Sequence, residues 1–200
     1  DLVNRLLERH ESVLLEKHLH GDEHRIIVIG GECCAAIKRI PANVVGDGLH
    51  TISELIDLKN ADPMRGDGYQ NVLTRITPDE EMHRHLRQRS RSYDTVPEAG
   101  EQISLRGVSN VGRGGDVENV TDQLTDANKR AFESIASVVD CDPVGIDFIG
   151  QDLSTSIYDQ EHAGILELNA SPGFGYGDEF VWLADRVVDF YIERFLAGTN

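Results

Sequence analysis

Two short apolar runs in the last third of the chain, each interrupted by acid or amide side chains at strand spacing, constrain this sequence more than any other feature. The first is Val144-Gly145-Ile146-Asp147-Phe148-Ile149 and the second is Ile165-Leu166-Glu167-Leu168-Asn169-Ala170-Ser171-Pro172-Gly173. Both have strand length and are bounded by glycine and polar residues, which reads as two β-strands joined as a hairpin. Side chains alternate between faces along a strand, so Glu167 and Asn169 share one face and Leu166 and Leu168 fill the other. With Asp147 on the matching face of the neighbouring strand, three oxygen-bearing groups converge and no cation is visible among them. Two carboxylates that close repel unless a proton or a metal lies between them. An all-oxygen set of two carboxylates and an amide suits Mg²⁺, which takes few protein ligands and completes its shell with water and phosphate oxygens. The expectation is a site for a metal-bound phosphate.

Composition bounds the alternatives. Two hundred residues make one domain or a large piece of a bigger one. With 40% hydrophobic and 27% charged residues, the chain can bury a core and keep a soluble surface. A formal charge of −16 argues against broad contact with a nucleic-acid backbone, which needs a basic face, while leaving room for a local basic pocket. No apolar run is long enough to span a membrane, and no cationic start precedes an apolar segment, so no membrane partner is expected. Cys33, Cys34 and Cys141 are odd in number and lack ligand spacing. They read as reduced core residues of a cytoplasmic protein, Cys33 and Cys34 pointing to opposite faces of one strand.

The chain opens abruptly on an amphipathic helix over 2–9, as a segment of something longer would. Val13 to Glu16 reads as a first strand, Arg25 to Gly30 as a second and Glu32 to Ile40 as a third, the last two closed by a Gly30-Gly31 turn. The polar stretch from Glu16 to Glu23 is either a binding rim between strands or a solvated linker. A turn-rich loop follows from Pro41 to Gly48, then a capping box, Thr51-Ile52-Ser53-Glu54, opening a helix to about Lys59. Asp62 to Gly68 reads as loop. A charged helix starts after Thr77-Pro78-Asp79, with Met82 and Leu86 as anchors. Its Arg84, Arg87 and the following Arg89 and Arg91 read as a solvated face, the alternative being an anion clamp. His83 and His85 are two apart, off a common helical face, and receive no metal role. Gln102 to Arg106 reads as a strand leading into Gly107-Val108-Ser109-Asn110-Val111-Gly112-Arg113-Gly114-Gly115, a loop whose backbone amides and arginines could hold an anion. A helix over 125–139 puts Ala127, Ala131, Ile135 and Val138 on one side, and a last helix runs from Phe180 to Leu196.

These motifs resemble, in their order, those of the ATP-grasp carboxylate–amine ligases. The resemblance rests on Glu16-Lys17-His18-Leu19-His20-Gly21-Asp22-Glu23, on the Ser109–Gly115 loop, on Asp147, and on Glu167-Leu168-Asn169-Ala170-Ser171-Pro172-Gly173. The stretch from Ile40 to Ile52 and Asp62-Pro63-Met64-Arg65-Gly66 are similar, more narrowly, to the cyanophycin synthetase and glutathione synthetase branches. Arg113 resembles the ribosomal-protein-modifying branch instead. The Ala170–Phe174 ending is closest to the cyanophycin and D-alanine ligase branches.

The resemblance implies an α+β, ATP-grasp fold: an antiparallel sheet with packed helices, one lobe plus an inserted loop-helix region at 41–101. The other lobe and a substrate domain are expected outside residues 1–200. It also implies ATP with Mg²⁺, or Mn²⁺ in its place, and amino-acid or peptide substrates joined through an acyl phosphate. Asp147, Glu167 and Asn169 would hold the metal. Glu16, Lys17, Leu19 and Glu23 would hold the nucleotide, and Arg106, Asn110 and Arg113 would face the transferring phosphate. A degenerate nucleotide-binding module is the alternative, and homo-oligomerisation of the full-length protein is left open. The sheet should carry its nucleotide face on one side, with the helices around Ala131 and Val187 buried on the other.

Overall fold

A computed structural model describes residues 2–67, 71–139, 141–173, 177 and 180–198. It opens on a short helix, α1 (Leu2–Leu7). Residues 10–21 follow as irregular chain, with Leu14 and Leu15 79% and 73% exposed. The strand expected at Val13–Glu16 is therefore absent: an apolar run becomes a strand only where a neighbour takes up its backbone hydrogen bonds.

The main sheet begins with β1 (Asp22–Ile29) and β2 (Glu32–Ile40). Gly30 and Gly31 turn between them at φ 61° and 77°, the left-handed pair that a two-residue hairpin loop requires. β1 starts three residues before the expected Arg25 and is the central strand. Its last six residues are all buried because both faces are covered.

A small module interrupts the sheet between β2 and its next strand. It contains β3 (Asn43–Val45), α2 (Ile52–Asn60), β4 (Arg65–Gly66), β5 (Leu73–Thr74), α3 (Glu80–Arg87) and β6 (Gln102–Ser104). The capping box forms as read: Thr51 accepts from the Glu54 amide, and the Glu54 carboxylate accepts from the Thr51 amide. β3 lies within the stretch read as a loop and pairs antiparallel with β6, which stops two residues short of Arg106. β4 and β5 form a short parallel pair where loop was expected. The module has its own core, in which Val44, Ile52, Ile56, Ile76, Met82, Leu86 and Leu105 are buried together. The segment inserted here thus has a core of its own.

The chain returns through β7 (Asp116–Asn119), α4 (Asp126–Ala136), β8 (Val144–Gly150) and β9 (Gly164–Asn169), and ends in α5 (Val181–Gly198). The five-stranded sheet has the order β7-β2-β1-β8-β9, every neighbouring pair antiparallel. Thr125 caps α4, which stops at Ala136, three residues before the expected end. Its packed side is Asn128, Ala131, Phe132 and Ala136, whereas Ala127 is exposed and Val138, beyond the helix, is 81% exposed. Phe174 to Tyr176, in the loop expected before the last helix, lie outside the described residues.

The two faces of the sheet divide by strand parity. Ile26, Val28, Ala36, Val144, Ile146 and Phe148 point to one face and pack on α4, with Phe132 edge-on to Phe148 at 5.4 Å. Ile27, Ile29, Ala35 and Ile37 point to the other and pack on Phe180, Leu183, Val187 and Phe190 of the C-terminal segment. The two helices therefore lie on opposite faces, correcting the expectation that both cover the same side. Cys33 and Cys34 are free thiols that join the α4-side and α5-side cores respectively.

His24 is 2% exposed beside Phe148, and burial holds its imidazole below its ordinary value near 6.5, against the nearby Asp22 carboxylate. Below that ordinary value the unfolded chain takes up a proton that the folded chain refuses, so His24 subtracts stability as the pH falls through 6.5 toward its lower folded value. Urea unfolding from about pH 7.5 to about pH 5.5 should lose stability less steeply in His24→Leu than in the parent chain; equal slopes would remove His24 from the account.

Candidate functional site

The site is built from the register of four strands. Glu23 and Arg25 are two apart on β1, so both point to the α5 face, at the end that the helix leaves open. Arg25 lies opposite Asp147 of β8, and Asp147 lies opposite Glu167 of β9. Across β1, Glu23 lies opposite Arg39 of β2. Four neighbouring strands thus converge ionisable side chains on one patch.

The register slips between Asp147 and Phe148. Glu167 pairs with Asp147 and Ile165 with Phe148, leaving Leu166 as the extra residue of a bulge. Leu166 consequently joins Glu167 on the cleft side and is 53% exposed, while Leu168 keeps to the α4-side core. Strict alternation would have placed Leu166 with Leu168; the bulge overturns that expectation.

Asp147, Glu167 and Asn169 do converge, and cations stand among them. Arg25 Nε lies 2.5 Å from Asp147 Oδ1 as an ion pair, and Arg25 Nη2 donates to Oδ2 at 3.1 Å. Arg39 Nη1 donates to Glu23 Oε1 at 2.7 Å and to Asp147 Oδ2 at 3.3 Å. Arg25 reaches Asp147 across Gly145, where an added Cβ would come within 2.7 Å of the guanidinium and 2.8 Å of Pro172. Asn169 Nδ2 donates to Glu167 Oε1 at 2.9 Å. The expectation of a site free of cations fails here because β1 and β2, remote in sequence, deliver two arginines by register.

The electrostatics are asymmetric. Burial pushes the Asp147 carboxyl up, opposed by Arg25 and Arg39 and reinforced by its hydrogen bond with Glu167. The Asn169 amide, and then Asp147, hold the Glu167 carboxyl down. The two carboxyls thus stand side by side with opposite tendencies, and a cation between them would relieve their repulsion. Ionised, Glu23, Asp147 and Glu167 set three negative charges against the two of Arg25 and Arg39. Among the described residues no group of three or more His, Cys, Asp or Glu is arranged to hold a metal. The donors here are two carboxylates and an amide, hard oxygens that fit Mg²⁺ completed by water and phosphate.

This patch floors a cleft of 640 Å³ walled by Glu23, Arg25, Arg39, Asp147 and Glu167 and, from the glycine-rich loop, by Val108 to Val111. A second compartment of 560 Å³ adjoins it, lined by residues 16–23, Pro41, Gly107 and Ile149. Glu23, Arg39, Val108, Ser109 and Leu166 border both compartments. Glu16, Lys17, Leu19 and Glu23 are thereby brought together, with Lys17 Nζ anchored on the Glu161 carbonyl at 2.7 Å. Asn110 lines the acidic compartment.

Arg106 and Arg113 are placed elsewhere. Arg106 is 3% exposed and holds Asp79, the N-cap of α3, through two bonds of 3.1 and 2.8 Å. Arg113 pairs with the same carboxylate at 3.2 Å and with Glu81 at 2.7 Å. Arg106 above all, with the Met82 amide, holds the Asp79 carboxyl at about 2. Both arginines fasten the loop to the module rather than facing the acids. Sequence reading missed Arg25, which one parity step from Glu23 would have placed on this face.

No family model matches the chain. Cyanophycin synthetase from Crocosphaera subtropica is 38% identical over 163 residues, 82% of this chain and 19% of that protein. The glutathione biosynthesis bifunctional protein GshAB from Listeria monocytogenes is 36% identical over 187 residues, 91% of this chain and 24% of the relative. The crystal structure of a bifunctional glutathione synthetase from Pasteurella multocida superposes with a TM-score of 0.73 at 30% identity, covering 88% of this chain and 24% of that one. The chain thus spans a quarter or less of the length of each of these.

Removing one partner of a buried ion pair strands the other charge. Arg25→Met should cost about 3 kcal/mol in urea unfolding at neutral pH, and adding Asp147→Asn should restore about half of that. An Arg25→Met variant as stable as the parent would show that the pair contributes nothing to the folded sheet.

Proposed function

The chain has the ATP-grasp fold and is homologous over most of its length to the ATP-grasp ligases cyanophycin synthetase and GshAB, and we propose that it supplies the part of such a ligase that holds ATP and activates a carboxylate. The observation carrying this reading is the Asp147–Glu167 pair, side by side in register and flanked by Arg25 and Arg39, at one end of a two-compartment cleft. The purine would lie in the compartment lined by residues 16–23, with Glu16 and the Leu19 backbone at the ring. Glu23, on the border of both compartments, would meet the ribose. The phosphates would then extend over Arg39, Ser109 and Asn110 toward Asp147.

Asp147, Glu167 and Asn169 would hold Mg²⁺, whose charge would neutralise phosphate oxygens and offset electrostatic resistance to carboxylate attack. The side chains need only bind and position. Transfer of a phosphoryl group to a carboxylate asks for alignment and charge compensation more than for covalent help, and an amine can then displace phosphate from the acyl phosphate. Arg25 and Arg39 deliver two fixed positive charges beside the acids, and guanidinium forks suit phosphate oxygens. Substrates would be an amino acid or peptide as carboxylate and another as amine.

The test uses the full-length protein with ATP, Mg²⁺ and candidate amino acids, reading phosphate release. Glu167→Gln should lower turnover by at least about a hundredfold, leaving the unfolding midpoint nearly unchanged, because it removes charge at the transferring phosphate without disturbing the core. ATP binding by the parent protein with no phosphate release under any amino-acid pairing would instead favour a nucleotide-sensing module.

A further inference from the structure

The glycine-rich loop offers Ser109 and Asn110 to the cleft, and its return to the sheet is fixed by one carboxylate. Asp116, the first residue of β7, pairs through Oδ1 with Arg65 Nη2. Its Oδ2 accepts from Lys59 Nζ at 2.6 Å and from Asn43 Nδ2 at 2.8 Å. Lys59 also donates to the Asn43 carbonyl at 2.9 Å and to its side-chain oxygen at 3.1 Å. Arg65 is 3% exposed, and its other nitrogen donates to the Thr74 carbonyl at 2.8 Å and to the Gly114 carbonyl, inside the loop, at 3.1 Å. Residues from β3, α2 and β4 thus meet at the point where the loop ends. None of Asn43, Lys59, Arg65 and Asp116 lines the cleft.

We infer that Asp116, with Arg65 and Lys59, is a positioning cluster that locks the module of residues 41–105 to the glycine-rich loop and so sets where Ser109 and Asn110 stand relative to Asp147 and Glu167. Both oxygens of the one carboxylate are used, Oδ1 by Arg65 and Oδ2 by Lys59 and Asn43, so the carboxylate fixes three donors from three elements at once. Arg65 binds the loop backbone at Gly114 and the strand after it at Asp116, so it fixes an angle rather than a single point. Arg106 and Arg113 add a second attachment from the loop to the α3 N-terminus through Asp79. Between the two attachments the loop is free to follow the module as one body. The functional consequence rests on the proposed phosphate end of the cleft; the mechanical one does not.

Hydrogen exchange on the chain itself tests the mechanical part. The amides of Arg113, Gly114 and Gly115 bond to Asn110 and Val111 carbonyls at 3.0–3.1 Å. In Lys59→Met and in Asp116→Asn these amides should exchange about tenfold faster, with the central β1 amides unchanged, and Lys59→Arg should restore protection. Unchanged loop exchange, or acceleration spread equally through the sheet, would overturn the cluster's positioning role. In the full-length protein, Lys59→Met should weaken ATP about tenfold and leave adenosine affinity as it was, because only the phosphate end loses its wall. An equal loss for both ligands would also overturn it. Failure of the parent protein to bind ATP would overturn the functional proposal alone, leaving the exchange result to judge the cluster.

Discussion

Asp147 sits 4% exposed between two guanidiniums in the middle of a sheet, and much of this structure answers the need to keep that carboxylate there. Placing a charge in so dry a position costs several kcal/mol, and even a well-formed buried ion pair returns roughly what desolvation takes. Apolar residues would make a more stable sheet at these positions. On the proposed function, stability at these positions is traded for chemistry. The fold meets the cost with register: β1 brings Arg25 directly opposite Asp147, Gly145 leaves room for the guanidinium to cross, and β2 brings Arg39 from one strand farther out.

One face of the sheet does two jobs. Toward the Ile29 end it is apolar and covered by Phe180, Leu183 and Phe190. Toward the Glu23 end the same parity positions carry Glu23, Arg25, Arg39 and Asp147, and the cover is a cleft. The change occurs within a single step of two residues, from Arg25 to Ile27. The opposite face packs Ile26, Ala36, Ile146 and Phe148 on α4, with His24 buried beside Phe148 at the charged end. A site held on paired strands is positioned more tightly than one held on loops.

Much of this was legible from local pattern. The Gly30-Gly31 hairpin, the Thr51–Glu54 capping box, the β8–β9 pairing and the shared face of Glu167 and Asn169 all follow from short-range chemistry. What escaped reading is nonlocal. Val13 to Glu16 has strand-like composition but no neighbour. Leu166 follows alternation until a bulge, set by the partner strand, turns it. Val138 continues the apolar spacing of α4, yet the helix has already ended at the Ser137 C-cap. The module read as separate loops and helices because each of its segments holds only a few apolar residues. Its core appears only when β3, α2, α3 and β6 are brought together. Arg25 read as the edge of an apolar run, and only pairing with β8 shows that it belongs to the site.

The two walls of the cleft differ in kind, and that difference orders the molecule. β1 contributes to both compartments through Glu23, and seven register pairs on each side hold it in place. The floor therefore cannot shift one compartment relative to the other without breaking the sheet. The facing wall is the glycine-rich loop, tied at Asp116 and at Arg106 to a module with a separate core. The Asp116 attachment stands on β7 of the main sheet, so it holds loop and module to the floor, and the segment carrying Ser109 and Asn110 lies between it and Arg106. On this geometry, side-chain attachments set the position of Ser109 and Asn110, whereas strand register sets the spacing of Arg25, Asp147 and Glu167. On the proposed function that division suits a polyphosphate: the strands align its reacting end, and the loop supplies the wall along it.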